Sequence, residues 1–161
     1  MKVFISYSTH DTELVKEVAD SVKSKTELFY WEEAHRPGDE AWPRIFSWID
    51  ESDLVLVVIT DSTLKRAFSV GQEVGHARKA GKRIIPLVSS EVDLKDLGFL
   101  SGITFIPLDV RDPAKGIESL QKELERLENE SRELALNQKG SNENGVAALV
   151  GLGVLFFLLS R

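Results

Sequence analysis

From residue 3 to residue 109, short aliphatic and β-branched runs alternate with stretches whose apolar residues recur every three or four positions. βαβ units leave that pattern, so the chain predicts a parallel sheet with helices on both faces. The first strand covers 3–6. After the polar break Ser8-Thr9-His10-Asp11, residues Leu14, Val15, Val18, Ala19 and Val22 share one face of a helix, with Asp11 or Thr12 available as its cap. A shorter strand reads 28–31 and leads into the loop 32–39, where Pro37-Gly38 marks a turn. Trp42, Ile45, Phe46 and Ile49 fall at helical spacing, and Pro43 suits a first turn, where its missing N–H does no harm. Residues 54–60 (LVLVVIT) are almost continuously apolar, as expected of a central strand buried on both faces. A helix over roughly 69–80 ends at Gly81, and strands at 83–88 and 103–108 flank a loop holding Gly98 and Gly102.

The last third differs in kind. Between 113 and 138 the chain is highly charged, yet Ile117, Leu120, Leu124, Leu127 and Leu134 keep a three-four spacing, broken at Ser131. This reads as a final helix whose first half packs on the sheet and whose second half is a solvated extension; a short coiled coil pairing protomers is the alternative. Residues 137–145 (NQKGSNENG) have the composition of a flexible linker. Residues 146–159 (VAALVGLGVLFFLL) carry no charge, and their ten Val, Leu and Phe residues contribute about −3 to −6 kcal/mol toward membrane insertion. As a helix this run reaches about 21 Å, short of a hydrocarbon core of about 30 Å, so local thinning and snorkelling by Arg161 accompany a membrane reading. The expected division is a domain over 1–136, a linker over 137–145 and a hydrophobic C-terminal helix over 146–161 acting as a single-pass tail anchor, with a core helix or dimer seam as the competing reading.

Composition narrows the function classes. The chain has 161 residues, 42% of them hydrophobic, enough for one domain with a substantial core. A net charge of −6 without clustered Lys and Arg argues against nucleic-acid partners. The absence of cysteine excludes disulfide scaffolds, thiolate nucleophiles and Cys-based zinc sites. The N-terminus enters a strand pattern without a signal-peptide region, so the folded part is expected in the cytoplasm. No GxGxxG, phosphate-binding loop or Ser-His-Asp arrangement supports a dehydrogenase, kinase or hydrolase of those types.

One acidic residue stands apart: Glu73, in Ser69-Val70-Gly71-Gln72-Glu73-Val74-Gly75-His76-Ala77, between two strand-like runs. It is either a helix-surface charge or a catalytic carboxylate. The order of motifs around it, Val3-Phe4-Ile5-Ser6-Tyr7-Ser8 with Asp11, Arg36-Pro37-Gly38-Asp39 followed by Trp42, Ser52-Asp53 before LVLVVIT, Glu73 with Ala77, and Arg83-Ile84-Ile85-Pro86-Leu87, resembles the TIR (Toll/interleukin-1 receptor) domain family, prokaryotic type, over residues 1–136. The resemblance implies a flavodoxin-like α/β fold, a five-stranded parallel sheet with helices on both faces. It also implies one of two functions. Some TIR domains are adaptors that self-associate through the loop here spanning 32–40. Others cleave NAD+ at the nicotinamide–ribose bond, giving nicotinamide and ADP-ribose or a cyclic isomer, using a Glu that maps onto Glu73.

Breaking that bond passes through an oxocarbenium-like state that a carboxylate stabilises, and the cationic nicotinamide leaves without a general acid, so neither a metal nor a cofactor is needed. Substrate-binding candidates are Ser8, at the end of the first strand or capping the next helix; Tyr30, Trp31 and Trp42, as stacking or core aromatics; and Arg36, on pyrophosphate or on a neighbouring protomer. His76 is a candidate base that the chemistry does not require. The run Asp50-Glu51-Ser52-Asp53 reads as a solvated turn. The family often places Trp four residues ahead of its Glu, where this chain has Ser69 beside Phe68, which affects the local pocket shape. The expected protein is a membrane-tethered, self-associating NAD+ glycohydrolase or cyclase in immune or stress signalling; the competing reading is a non-enzymatic module recruiting other TIR proteins to the membrane.

Overall fold

The computed structural model describes residues 1–30, 41–65, 67–93, 95 and 97–142. Five strands, β1 (Lys2–Ser6), β2 (Glu27–Tyr30), β3 (Leu54–Ile59), β4 (Arg83–Ser89) and β5 (Ile106–Leu108), form one parallel sheet in the order β2-β1-β3-β4-β5. All six residues of β3 are buried, which the unbroken apolar run anticipated. Alternation along the strands splits the core in two. Val3, Ile5, Leu54, Leu56, Val58, Ile85 and Leu87 meet helices α1 (Thr12–Val22) and α5 (Ala114–Asn142). Phe4, Val55, Val57, Ile59 and Val88 meet α2 (Ala41–Glu51) and α4 (Ala67–Lys79).

Sequence and structure agree on the five strands and the four long helices, and differ at the edges. The fifth strand is shorter than 103–108, because Ile103 N–H closes a turn onto Leu100 O and Gly102 sits at φ 81° before the chain extends. A one-turn helix α3 (Asp61–Leu64) follows β3, capped by the Thr60 hydroxyl. Helix α4 ends in a Schellman-type turn: Lys82 N–H bonds Ala77 O, and Gly81 supplies the left-handed φ of 66°. Gly116 lets α5 approach β5, since a Cβ there would lie 2.9 Å from Leu108 Cδ1 and 3.0 Å from Pro107 O.

Helix α5 behaves as a packed half and a projecting half. Leu120, Leu124 and Leu127 are buried, whereas Leu134 and Leu136 are 38% and 68% exposed. Its 29 residues span about 43 Å, roughly twice the length of a strand, so the second half projects past the sheet. Its backbone is helical to Asn142 and so enters the stretch expected to be a linker, because propagating an existing helix is much easier than starting one. The hydrophobic segment 146–159 lies outside the described residues; no helix among the described residues is long and apolar enough to cross a membrane.

Polar contacts bind α5 to the sheet edge. Arg126 donates to both Glu123 oxygens at 2.8 and 2.6 Å, and Arg83 of β4 reaches the same carboxylate at 3.4 Å. The Arg126 hydrogen bond holds the Glu123 carboxyl below its ordinary 4.5, against an opposing effect of burial. Two stability predictions follow from this packing. Leu124→Ala is expected to cost about 2–5 kcal/mol in urea unfolding, whereas Leu134→Ala stays within about 0.5 kcal/mol of wild type. Because the Glu123 pKa is depressed on folding, its contribution is present above pH 4.5 and fades as pH falls through the folded value. The stability gap between wild type and Glu123→Gln is therefore expected to be full at pH 7 and to narrow as pH falls below 4.5, read from unfolding curves across that range.

Candidate active site

In a sheet of order 2-1-3-4-5 the chain reverses direction between β1 and β3, and ligands of such folds bind beyond the carboxyl ends of those strands. A cleft of about 670 Å³ lies there. Among the described residues it is lined by Asp11, Glu13, Glu17, Asp61 and Glu91 with His10, Thr60, Ser62 and Ser89, and by no Lys or Arg. Five carboxylates repel a pyrophosphate, so this cleft, on the α1 side of the sheet, is a poor seat for a dinucleotide. Thr60 holds its floor together: the hydroxyl donates to Asp11 Oδ2 at 2.6 Å and accepts from the N–H groups of Ser62 and Thr63.

Glu73 stands on the opposite layer. On α4, Val70, Val74 and Ala77 are buried against the sheet, and half-buried Glu73 and His76 flank that stripe. His76 identifies the side facing α2, because its ring stacks on Phe46 at 4.3 Å with a 10° interplanar angle and its Nε2 donates to Asp50 Oδ1 at 2.8 Å. On α2 the partners Phe46 and Asp50 continue the series Trp42, Phe46, Asp50 at four-residue steps, and Trp42 contacts Phe46 at 5.5 Å. Both helices lead into the N-terminal end of a strand, so they run side by side in the same direction. One turn back from His76 on α4 is Glu73, and one turn back from Phe46 on α2 is Trp42. Glu73 is thus carried on α4 one turn nearer the carboxyl end of the sheet than the Phe46–His76 contact at the α2–α4 seam.

The seam is braced from below. Lys82 Nζ donates to Asp50 O at 2.6 Å and Ser52 O at 2.8 Å, satisfying the C-terminal carbonyls of α2. Ser52 is buried and its hydroxyl donates to Trp48 O at 2.7 Å, while Asp53 accepts the Lys2 N–H at 2.8 Å. The run expected to be a solvated turn is therefore a structural clamp. Its partners are distant in sequence, and no local pattern announces them.

The other candidates disperse. Ser8 is fully buried, and its hydroxyl accepts from His10 N–H at 3.4 Å, capping a short 3-10 turn. Tyr30 packs on the α1 side and meets Tyr7 edge-on at 6.4 Å, so it lies across the sheet from Glu73. Trp42 joins the α2 side, in the same layer as Glu73. Trp31 and Arg36 lie outside the described residues. Phe68 is 79% exposed at the start of α4 and does not fill the seam. Ser6 was not anticipated: it is 1% exposed, and its hydroxyl is the buried side-chain group without a hydrogen-bond partner among the described residues. Such an orphan costs about 1–3 kcal/mol.

Comparison with known proteins agrees with this architecture. The profile of the TIR domain family matches residues 3–127. Similar solved structures include the TIR domains of the activated Roq1 resistosome directly recognizing the pathogen effector XopQ, with a TM-score of 0.60 at 16% identity, covering 76% of this chain and 98% of that chain. They include the CMP N-glycosidase BcmB of Clostridium botulinum, with a TM-score of 0.52 at 16% identity over 75% of this chain and 99% of that one. A 2-deoxyribosyltransferase from Bacillus psychrosaccharolyticus has a TM-score of 0.53 at 13% identity, over 70% and 89%. No curated protein sequence matches this chain.

The Thr60 network is open to test: Thr60→Val keeps the shape but strips the cap of α3 and the Asp11 contact. The expected cost is about 1–3 kcal/mol in denaturant unfolding, with an unchanged slope.

Proposed function

The chain belongs to the TIR domain family, and from that premise we propose that it cleaves the nicotinamide–ribose bond of NAD+, with Glu73 as the catalytic carboxylate. The observation that carries this reading is the half-buried position of Glu73 on α4, one turn from the Phe46–His76 contact and in the layer that holds Trp42, away from the acid-lined cleft. As the bond from ribose C1′ to the pyridinium nitrogen breaks, its electron pair passes to that nitrogen and cancels its charge. The positive charge moves to the ribose, where a carboxylate stabilises it. Attack by water with loss of a proton gives ADP-ribose; attack by an adenine nitrogen gives a cyclic isomer. Two proteins of like fold support the same type of bond, one named as an N-glycosidase of CMP and the other as a 2-deoxyribosyltransferase used in nucleoside synthesis.

Assembly belongs to the same reading. The Roq1 domains are part of an activated resistosome, and here the exposed ring of Phe68 at the start of α4 is suited to a protein contact. That ring also favours the second reading, a non-enzymatic TIR module that recruits partners. We further propose that the apolar segment 146–159 tethers the domain to a membrane, facing the cytoplasm, and raises its effective concentration for self-association.

Incubation of the full chain with NAD+ at high protein concentration, with nicotinamide and ADP-ribose products separated by chromatography, tests the activity. Nicotinamide release is expected, and Glu73→Gln is expected to slow it about 10²–10³-fold with little change in melting temperature. No release, or equal release by the variant, leaves the recruitment module. For the tether, membrane fractionation of the full chain beside one ending at Gln138 is expected to show partition only for the former; equal partition removes the anchor.

A further inference from the structure

Ser6 is the last residue of β1, 1% exposed, and its hydroxyl has no partner among the described residues. Strand alternation fixes the side it serves. Val3 and Ile5 enter the core under α1 and α5, Phe4 enters the core under α2 and α4, and Ser6 falls in register with Phe4. Its neighbour on β3 is Val57, which belongs to that same layer, and α2 packs on β1. The unpaired hydroxyl therefore lies at the carboxyl end of β1, beneath the layer that carries Glu73. It stands beside the point where the chain reverses between β1 and β3, where this sheet class takes ligands.

We propose that Ser6 Oγ forms the floor of the Glu73 site and hydrogen-bonds the carboxamide of the nicotinamide leaving group, an assignment that rests on the NAD+ reading above. The chemistry of the position selects that part of the substrate. A single neutral hydroxyl set among Phe4 and Val57 matches a flat, largely apolar base with one polar edge. A pyrophosphate needs cations or several N–H donors, and a ribose brings more hydroxyls than one side chain satisfies. Half-buried Glu73 is carried by α4, one of the two helices that cover this face of the sheet, and is left for the sugar. A buried hydroxyl left unpaired in the free protein and paired by substrate contributes to recognition: a base lacking the amide strands it again, as buried polar groups do when a cognate partner is missing.

The experiment uses the full chain carrying Glu73→Gln, with and without Ser6→Ala, and titrates each with NAD+ and with ADP-ribose, which lacks the base. Ser6→Ala is expected to weaken NAD+ about three- to tenfold and to leave ADP-ribose unchanged. Its melting temperature without ligand is expected to hold or to rise by about 2–4 °C, because an unpaired buried hydroxyl has been removed. A fall in melting temperature identifies a structural hydroxyl and overturns the proposal. Equal weakening of both ligands puts Ser6 on the sugar, and undiminished NAD+ binding overturns it outright. The two readings fail separately. Ser6-dependent NAD+ binding without turnover by wild type sinks only the hydrolase, turnover with Ser6-independent binding sinks only the Ser6 assignment, and absence of NAD+ binding sinks both.

Discussion

The two-sided burial of β3 organises this molecule. Every second residue must be apolar for the α1–α5 layer, and the residues between must be apolar for the α2–α4 layer, so Leu54, Leu56 and Val58 answer one demand and Val55, Val57 and Ile59 the other. A strand under both demands cannot lie at an edge, and its neighbours must reverse the winding on either side of it. The reversal opens the space beyond β1 and β3, where Asp11 and Thr60, 49 residues apart, meet in a hydrogen bond on one side and Ser6 ends β1 on the other. A packing requirement thereby fixes where a ligand is able to enter.

That requirement was readable in the chain because periodicity reports burial directly. The strand pattern, the four long helices, the left-handed glycine after α4 and the division of α5 into packed and projecting halves all follow from it. What escaped are features carried by contacts between distant residues. Helix α3 has four residues and buries only Thr63, too little to leave a period. Ser52 and Asp53 look solvent-bound in sequence, yet one is buried on its own helix and the other bonds the first residue of β1. His76 reads as a candidate base until its stacking on Phe46 and its hydrogen bond to Asp50 show it tying two helices together. That Glu73 stands one turn from this contact is likewise visible only in the helix pair, and Ser6, a lone serine closing an apolar strand, reads as a strand end and nothing more.

Two layers separate two electrostatic environments. Among the described residues the cleft on the α1 side gathers carboxylates without a lining cation, while the α2–α4 seam offers aromatic rings and an Asp50 carboxylate already bonded to His76. For a substrate that is anionic at its pyrophosphate and cationic at its pyridinium, that difference matters more than cleft size: like charges within a few ångströms cost several kcal/mol at low effective dielectric. The acid-lined cleft is therefore the worse dinucleotide site, and the proposed reading uses the opposite face of the same strand ends.

Rigidity supplies the last constraint. A single carboxylate stabilises a developing cation only if its position is set beforehand, because reorganisation during the reaction would consume the gain. The chain meets this condition one helical turn away from Glu73. The stacked Phe46–His76 pair, the His76–Asp50 hydrogen bond and the two Lys82 bonds onto Asp50 O and Ser52 O fix α4 against α2 toward the C-terminal ends of the two helices. A helix clamped there moves as a rod, so the angular position of Glu73 relative to Trp42 is inherited from contacts neither residue makes. On the proposed reading, the geometry of the Glu73 site is then a property of the helix pair, held by residues that carry no chemistry of their own.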